Sequence, residues 1–436
     1  MTIRILLVLL LASSIISSTL PGRLHADESI TNRLFNHVAY LADDAREGRG
    51  IGTAGLDSAA QYIADYFSNL SLQTMFPGSY FQKFDLDWGV EPLKGREIQP
   101  LGFSNDTLAV QIRDDKIPVK NVGAVLEGDS RVIVLGAHYD HLGYGQEGST
   151  APGVHAVYNG ADDNASGVAV LLELARYFQQ NPPGPTLWFL AFTGEEVDLA
   201  GSNWFVHHPP QLLDSIRFMF NFDTVGRMQD STLILLGIRS AIELEPLAKQ
   251  AAEGLPIRLA MSGNDYGSSD QTSFYSERIP VLQALTAAHE DYHSPGDDVE
   301  KLNFIGLKNV FDFSRRFIEV LAEPGVALTY VEKAPPIELQ DMGSQSHPYL
   351  GTIPDFAQPD SVHGVRLQGI CSGSPAELAG LQKGDILIRM DEVIIDNIYD
   401  FTFTLRQKKA GDEVEVQFIR NGETLSTKAV LANPKR

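Results

Sequence analysis

The sequence predicts an α/β fold, a mixed and mostly parallel sheet flanked by helices, followed by a small β-rich domain. Three observations carry that expectation. Apolar runs at 132–135 and 187–192 lack polar alternation, the mark of strands buried on both faces, and 218–222, 233–236 and 281–285 look like further strands. Stretches of helical spacing lie around and between them, so strands and helices alternate. The alternation stops near Ala322, and from Tyr349 short strands and turns take over.

In chain order, Arg4 precedes an apolar run at 5–16, and Leu24-His25-Ala26 resembles a cleavage site before Asp27. Residues 1–26 are therefore expected to be a signal peptide, the run being short for a membrane span. Export, to a periplasm or the medium of a bacterium, follows from that reading, with no stable membrane anchor. Helical spacing at 29–41 and 55–70 brackets a loop, Arg46-Glu47-Gly48-Arg49-Gly50. A helical stripe runs through Val168, Leu171, Leu172, Ala175 and Phe178, and further helices are predicted at 241–254 and 304–321. Pro335, Pro336 and Gly343 mark a linker at 326–345, between an α/β domain at 27–325 and a small domain at 346–436.

The 436 residues exceed one ordinary core, in keeping with two or more domains. Lys and Arg number 34 against 56 Asp and Glu, a formal net charge of −22. That surface repels nucleic-acid phosphates and sets nucleic acid aside as a partner. Cys371 is the only cysteine, so no intrachain disulfide and no thiolate-rich metal site can form.

The functional signal is where polar residues fall relative to the strands, since open α/β sheets bind ligands beyond the carboxyl ends of their strands. His138-Tyr139-Asp140 follows the run at 132–135, and Glu195-Glu196 follows that at 187–192. Asp223 follows 218–222, and Tyr292-His293 comes after 281–285. Gly160-Ala161-Asp162-Asp163-Asn164 precedes the helix that starts near Gly167. His138, Asp162, Glu196, Asp223 and His293 form a candidate ligand set of two imidazoles and three carboxylates, suited to zinc or a similar divalent ion. Three carboxylates exceed what one zinc usually takes, so two cations bridged by one carboxylate are expected. Asp162, in its tight Gly/Asn loop, is the expected bridge. Of the adjacent glutamates, one can ligate while the other faces the attacking water as general base.

These motifs resemble, in order, those of the zinc aminopeptidase family, which includes bacterial leucyl aminopeptidases, aminopeptidase Y and, more distantly, glutamate carboxypeptidase II. The resemblance covers His138-x-Asp140, the segment from Gly160 to Gly167, Gly194-Glu195-Glu196, the segment from Asn221 to Arg227 and that from Tyr292 to Asp297. It implies two Zn2+ ions, with His138 and Asp223 on one, Glu196 and His293 on the other, and Asp162 between. It also implies Glu195 as base, Asp140 as the acid orienting His138, and Tyr292 as an oxyanion donor. Peptides are the implied substrates, cleaved at their amino end. Carboxypeptidase and glutaminyl cyclase chemistry, or a binding protein without catalysis, are the alternatives. Gln271 stands where relatives often have histidine, which puts that loop's substrate contact in question. His141 is read as pocket lining, and Asp163 and Asp297 as loop-capping or hydrogen-bonding acids. The stretch between Phe84 and Val119 is too short for the extra domain many exported relatives carry there.

Tyr349-Leu350-Gly351-Thr352, the segment from Gly373 to Leu381 and Lys383-Gly384-Asp385 resemble a bacterial PDZ domain. The resemblance implies that a peptide or protein C-terminus binds by strand addition, its carboxylate held by the backbone of Leu350, Gly351 and Thr352.

Overall fold

The structure is a computed structural model. It describes residues 29–87, 116–145, 148–151, 154–262, 269–286, 289–332, 348–355, 358, 362–371, 373–395, 400–401, 404–405 and 408–432. The expected signal peptide, most of the connection between Phe84 and Val119, and linker residues beyond 332 lie outside these. Among the described residues no helix is long and apolar enough to cross a membrane.

Two helices open the α/β domain: α1 (Ile30–Leu41), capped by Ser29, whose hydroxyl accepts the Asn32 N–H, and α2 (Ala54–Asn69), capped likewise by Thr53. Then come β1 (Gln73–Thr74), β2 (Phe81–Asp87), β3 (Lys116–Leu126), β4 (Asp129–His138), α3 (Gly167–Gln180), β5 (Pro185–Phe192) and α4 (Ala200–His207). The domain continues through β6 (Ile216–Phe222), β7 (Thr232–Leu236), α5 (Leu244–Ala252), β8 (Arg258–Ser262), α6 (Gln271–Ser276), β9 (Val281–Leu285) and α7 (Phe304–Leu321).

The nine strands form one mixed sheet in the order β1-β3-β5-β4-β6-β9-β7-β8, with β2 paired to β3. Neighbours from β5 through β4 and β6 to β9 are parallel, so their carboxyl ends share one edge. Both faces are covered, as the uninterrupted apolar runs predict. In β4, Ile133, Leu135 and Ala137 enter the larger core with α1, α2, α3, α5 and α7, while Val132 and Val134 enter the opposite core with α4 and α6. In β5, Leu187, Phe189 and Ala191 alternate against Trp188, Leu190 and Phe192 in the same way. The antiparallel flank of β2 and β3 has half-polar strands, which gave no such run in the sequence.

Beyond α7 the chain returns along the α/β domain rather than leaving it. Val331 N–H donates to Ser240 O at 2.8 Å and Ile242 N–H to Thr329 O at 3.2 Å. The start of the expected linker at 326–345 is thus fastened down as far as Glu332, which pairs with Arg278 at 2.9 Å. The second sheet comprises β10 (Thr352–Pro354), β11 (Val365–Ile370), β12 (Ile386–Met390), β13 (Val393–Ile394), β14 (Glu413–Arg420) and β15 (Glu423–Val430), with the short helix α8 (Pro375–Leu378). It has its own apolar core, built on Leu350, Leu367, Leu387, Val416 and Phe418. Leu350 points into that core, Gly351 has φ +85°, and Thr352 opens β10, an end strand of the described sheet.

Candidate metal centre

Four parallel strand ends and one turn build the site. His138 is the last residue of β4, Glu195 and Glu196 follow β5, Asp223 follows β6, and Tyr292 and His293 lie in the segment after β9. Residues 161–166 make one wide, π-type turn ahead of α3.

The two imidazoles are presented alike. His138 Nδ1 lies 3.2 Å from the carbonyl of Asp140, and His293 Nδ1 lies 3.0 Å from that of Gly148. A carbonyl only accepts, so each Nδ1 carries the proton and each Nε2 is turned inward. There both rings meet one carboxylate. His138 Nε2 is 3.3 Å from Asp163 Oδ1, and His293 Nε2 is 3.0 Å from Asp163 Oδ2. Each imidazole also has an acid of its own: Asp223 Oδ1 at 3.4 Å from His138, and Glu196 Oε2 at 3.3 Å from His293.

The carboxylate between the histidines is therefore that of Asp163, which corrects the expectation for Asp162. Asp162 lies one residue earlier in the turn and faces away. Its Oδ1 accepts from the Gly226 N–H and the Ser166 hydroxyl, and its Oδ2 lies 3.1 Å from His289 Nε2. Asp297, expected as a hydrogen-bonding acid, accepts the N–H groups of both Asp162 and Asp163 at 2.9 and 3.0 Å and so pins the turn.

Asp140 also does something other than expected. Its carboxylate oxygen is 3.8 Å from His138 Nδ1, whereas it accepts the backbone N–H groups of Glu195 at 3.2 Å and Glu196 at 3.4 Å. It holds the glutamate turn, and its backbone carbonyl orients the histidine. His141, read as pocket lining, is buried in the cluster itself: its Nδ1 lies 2.8 Å from Glu196 Oε1. Ligand-type atoms of His141, Asp163 and Glu196 lie within 4.8 Å of one another, as do those of His138, Glu195 and Asp223. The signal for His141 was present as its spacing of three residues from His138.

Gln271 opens α6 rather than lying in a loop. It is buried, accepts from Asn221 Nδ2 at 2.9 Å and donates to Gln283 Oε1 at 2.7 Å. Gln283 in turn donates to Asp223 Oδ2 at 3.3 Å. A carboxylate only accepts, which fixes the direction of the whole amide chain.

Charge explains what such a cluster needs. Burial raises the Glu195 carboxyl well above its usual range against the pull of His138, with Asp223, Glu196 and Asp270 adding to the rise. Burial alone would lower His138 and His293, yet the surrounding carboxylates hold both imidazoles well above their usual value. Asp163 and Glu196 go the other way: despite burial, the facing imidazoles depress Asp163 well below its usual range and hold Glu196 at about 2. Burial lifts Asp140 to about 6 and Asp270 to about 7. The Tyr292 phenol is raised well above its usual value by burial and then by the same acids; its ring stacks on His293 at 3.9 Å. A divalent cation relieves this crowding of carboxylates, and the donors, imidazole Nε2 atoms and carboxylate oxygens without a thiolate, fit zinc.

A mixed sheet with flanking helices, here with a cluster of His, Asp and Glu at its carboxyl edge, is the fold of zinc exopeptidases. The fold is shared with a Zn-dependent exopeptidase from Parabacteroides distasonis (TM-score 0.52, 19% identity, 66% of this chain and 97% of that one). It is likewise shared with a glutaminyl cyclase from Porphyromonas gingivalis (TM-score 0.51, 18% identity, 66% and 97%). Residues 121–318 match Peptidase family M28 and residues 325–431 match the PDZ domain. The chain thus carries a segment similar to Peptidase family M28, followed by one similar to a PDZ domain. It is 27% identical over 236 residues to the uncharacterized protein YfbL of Escherichia coli, covering 45% of this chain and 69% of that one. It is 28% identical over 192 residues to aminopeptidase YwaD of Bacillus subtilis, covering 42% of this chain but only 39% of that one. The α/β domain is a metallopeptidase domain of a zinc-dependent type.

Proposed function

We propose that the protein is an exported two-zinc aminopeptidase that removes residues from the amino end of peptides. The observation that carries the reading is the single Asp163 carboxylate facing two imidazoles, each with a carboxylate of its own. His138, Asp163 and Asp223 would hold one ion, and Asp163, Glu196 and His293 the other, with His141 beside the second. The ions supply polarisation of the scissile carbonyl and a lowered pKa for the attacking water.

The chain's own groups do the rest. Glu195 takes the water's proton and returns it to the leaving amine, a shuttle suited to a carboxyl that burial already raises toward neutrality. The Tyr292 hydroxyl stays protonated, because the neighbouring acids oppose its ionisation, and can donate to the developing oxyanion. The crowded carboxylates favour a substrate that brings a positive charge, such as a peptide's terminal ammonium. In the PDZ domain, β10 offers its edge to a peptide strand, with the backbone of Leu350, Gly351 and Thr352 at the carboxylate end. The apolar run at 5–16 supports export.

A panel of aminoacyl chromogenic amides, assayed with chelator and after zinc is restored, tests the reading. Activity that disappears with chelator and returns with zinc is expected, and full activity in the stripped protein refutes it. The fold shared with glutaminyl cyclase makes cyclisation the second reaction to assay. Conversion of amino-terminal glutamine in place of amide cleavage would replace the first reading with that one.

A further inference from the structure

The loop singled out in the sequence, Arg46-Glu47-Gly48-Arg49-Gly50, lies outside the ligand set, yet Arg49 is fully buried. Among the described residues its guanidinium forms no ion pair; its hydrogen-bond partners are backbone carbonyls. Nε donates to Tyr139 O at 2.8 Å, Nη1 to Leu41 O and Asn159 O at 2.7 Å each, and Nη2 to Gly160 O at 2.8 Å and Asp163 O at 3.4 Å. An arginine has five N–H donors, and here five carbonyls take them. Tyr139 lies between His138 and Asp140, and Gly160 and Asp163 belong to the turn that carries the shared carboxylate. The backbone joins in: His141 N–H donates to Arg49 O at 3.2 Å and Gly143 N–H to Gly48 O at 3.0 Å.

The conformation costs something to hold. Glu47, Gly48 and Arg49 have φ of 51°, 55° and 47°, left-handed values that crowd the Cβ of Glu47 and of Arg49 against the backbone. A Cβ on Gly48 would stand 2.4 Å from Gly143 O and 2.5 Å from Tyr158 O, and one on Gly160 would stand 2.1 Å from Asp163 O. Consecutive strained residues persist where surrounding contacts over-determine them, and such strain gathers at functional sites.

We propose that Arg49 is a positioning residue of the metal centre: its five-donor fork ties the His138–His141 segment to the Asn159–Asp163 turn, so the ligands are aligned before metal arrives. The inference rests on the zinc reading above. A buried fixed cation behind the cluster also suits its charge: burial lowers the guanidinium to about 10, and Asp163, Asp297, Asp140 and Glu196 all favour its charged form.

The test uses full-length protein as wild type, Arg49→Lys and Asp163→Asn. Lysine keeps the charge but has three donors at one point, and cannot reach acceptors spread from Leu41 to Asp163. Zinc affinity is measured by chelator competition, and ligand geometry by the visible absorption bands of the cobalt-substituted protein. Arg49→Lys is expected to bind zinc about 10–100-fold more weakly, the usual cost of an outer-shell change, with shifted cobalt bands. Wild-type affinity and bands in Arg49→Lys overturn the proposal. Amide hydrogen exchange on metal-free wild type needs no variant to fold. The amides of His141, Gly143 and Ala165, the last donating to Gly160 O at 3.2 Å, are expected to be protected already; free exchange until zinc is added also overturns it. Wild type that binds no zinc, with Asp163→Asn indistinguishable from it, instead defeats the zinc reading, and this inference falls with it.

Discussion

Asp162 and Asp163 are neighbours of identical chemistry, and substituting each by asparagine separates their jobs. The Asp163 carboxylate is buried between His138 Nε2 at 3.3 Å and His293 Nε2 at 3.0 Å. Removing one partner from a buried charged set costs about 3–5 kcal/mol, and at about 1.4 kcal/mol per tenfold this is a factor of about 10² to 4 × 10³ in affinity. On the proposed two-zinc reading both metal positions would share the loss, so Asp163→Asn is expected to lower zinc binding by about a thousandfold and to abolish amide hydrolysis. The Asp162 carboxylate accepts from Gly226 N–H, the Ser166 hydroxyl and His289. Its asparagine keeps one acceptor oxygen there. Weakening hydrogen bonds to a charged group costs about 1.5–3 kcal/mol of stability, and zinc affinity is expected to move only about tenfold. Chelator competition gives the affinities, metal analysis the stoichiometry, and thermal melts the stability. If Asp162→Asn lost zinc and Asp163→Asn kept it, the assignment drawn from these distances would be wrong.

Three further outcomes follow from the same geometry. Glu195→Gln is expected to keep zinc and lose about 10²–10⁴ in kcat, the usual share of general acid–base catalysis; unchanged kcat would remove Glu195 from the mechanism. Gln271→Leu cuts the amide chain to Asp223 and is expected to weaken zinc binding about tenfold or more while the fold persists, as measured by competition and circular dichroism. The metal-free protein is expected to lose stability as pH rises from 5 to 8. Burial raises Asp140 and Asp297 to about 6 and Asp270 to about 7 from 3.8, and His138 and His293 stand above 6.5, so the native state holds extra protons in this window. The stability these groups contribute is present at the acid end and lost on the way up. Asp163 and Glu196, whose values are lowered, lose their contribution only as pH falls below about 4. Melts in chelator at several pH values decide it, and a melting temperature that rises across the window contradicts the sign.

The sheet's centre was legible because strands buried on both faces carry unbroken apolar runs, and Ile133 and Val134 do face opposite cores. The candidate site was visible because His138, the pair Glu195-Glu196 and Asp223 each follow a strand within a few residues, and His293 comes in the segment after another. The antiparallel flank was harder to see. In β3, Lys116, Lys120 and Asn121 interrupt the apolar residues, and the strand is recognised only through its pairing with β2 and β5. The choice between Asp162 and Asp163 was beyond sequence reasoning for a physical reason. In a strand, adjacent side chains point to opposite faces, but in a wide turn their directions depend on backbone angles that the letters do not state. The only sequence hint was crowding, since the turn carries two acids and then Asn164, each of which could be the inward one. Gln271 misled in a similar way. Its distance from Asp223 along the chain hides that Gln283, on the neighbouring strand β9, bridges them.

Apart from Asp140 and Asp297, acids raised to about 6 that hold the glutamate turn and the Asp163 turn, the groups that position the proposed ligands do not titrate with them. The proposed ligands would change protonation when a divalent ion displaced their protons, and a holder that does not titrate keeps its hydrogen bonds through that change. Asp223 is held by an amide chain, Asn221 to Gln271 to Gln283, whose members do not titrate. His138 and His293 are each fixed by a backbone carbonyl, which cannot change charge. The turn bearing Asp163 is held from behind by Arg49, which remains cationic at every pH where the enzyme would work. A histidine in place of Gln271 could give the same geometry, but it would couple the orientation of Asp223 to pH. The departure from the family's usual residue therefore makes the holder neutral, with the same two hydrogen bonds available whether or not the metal is bound.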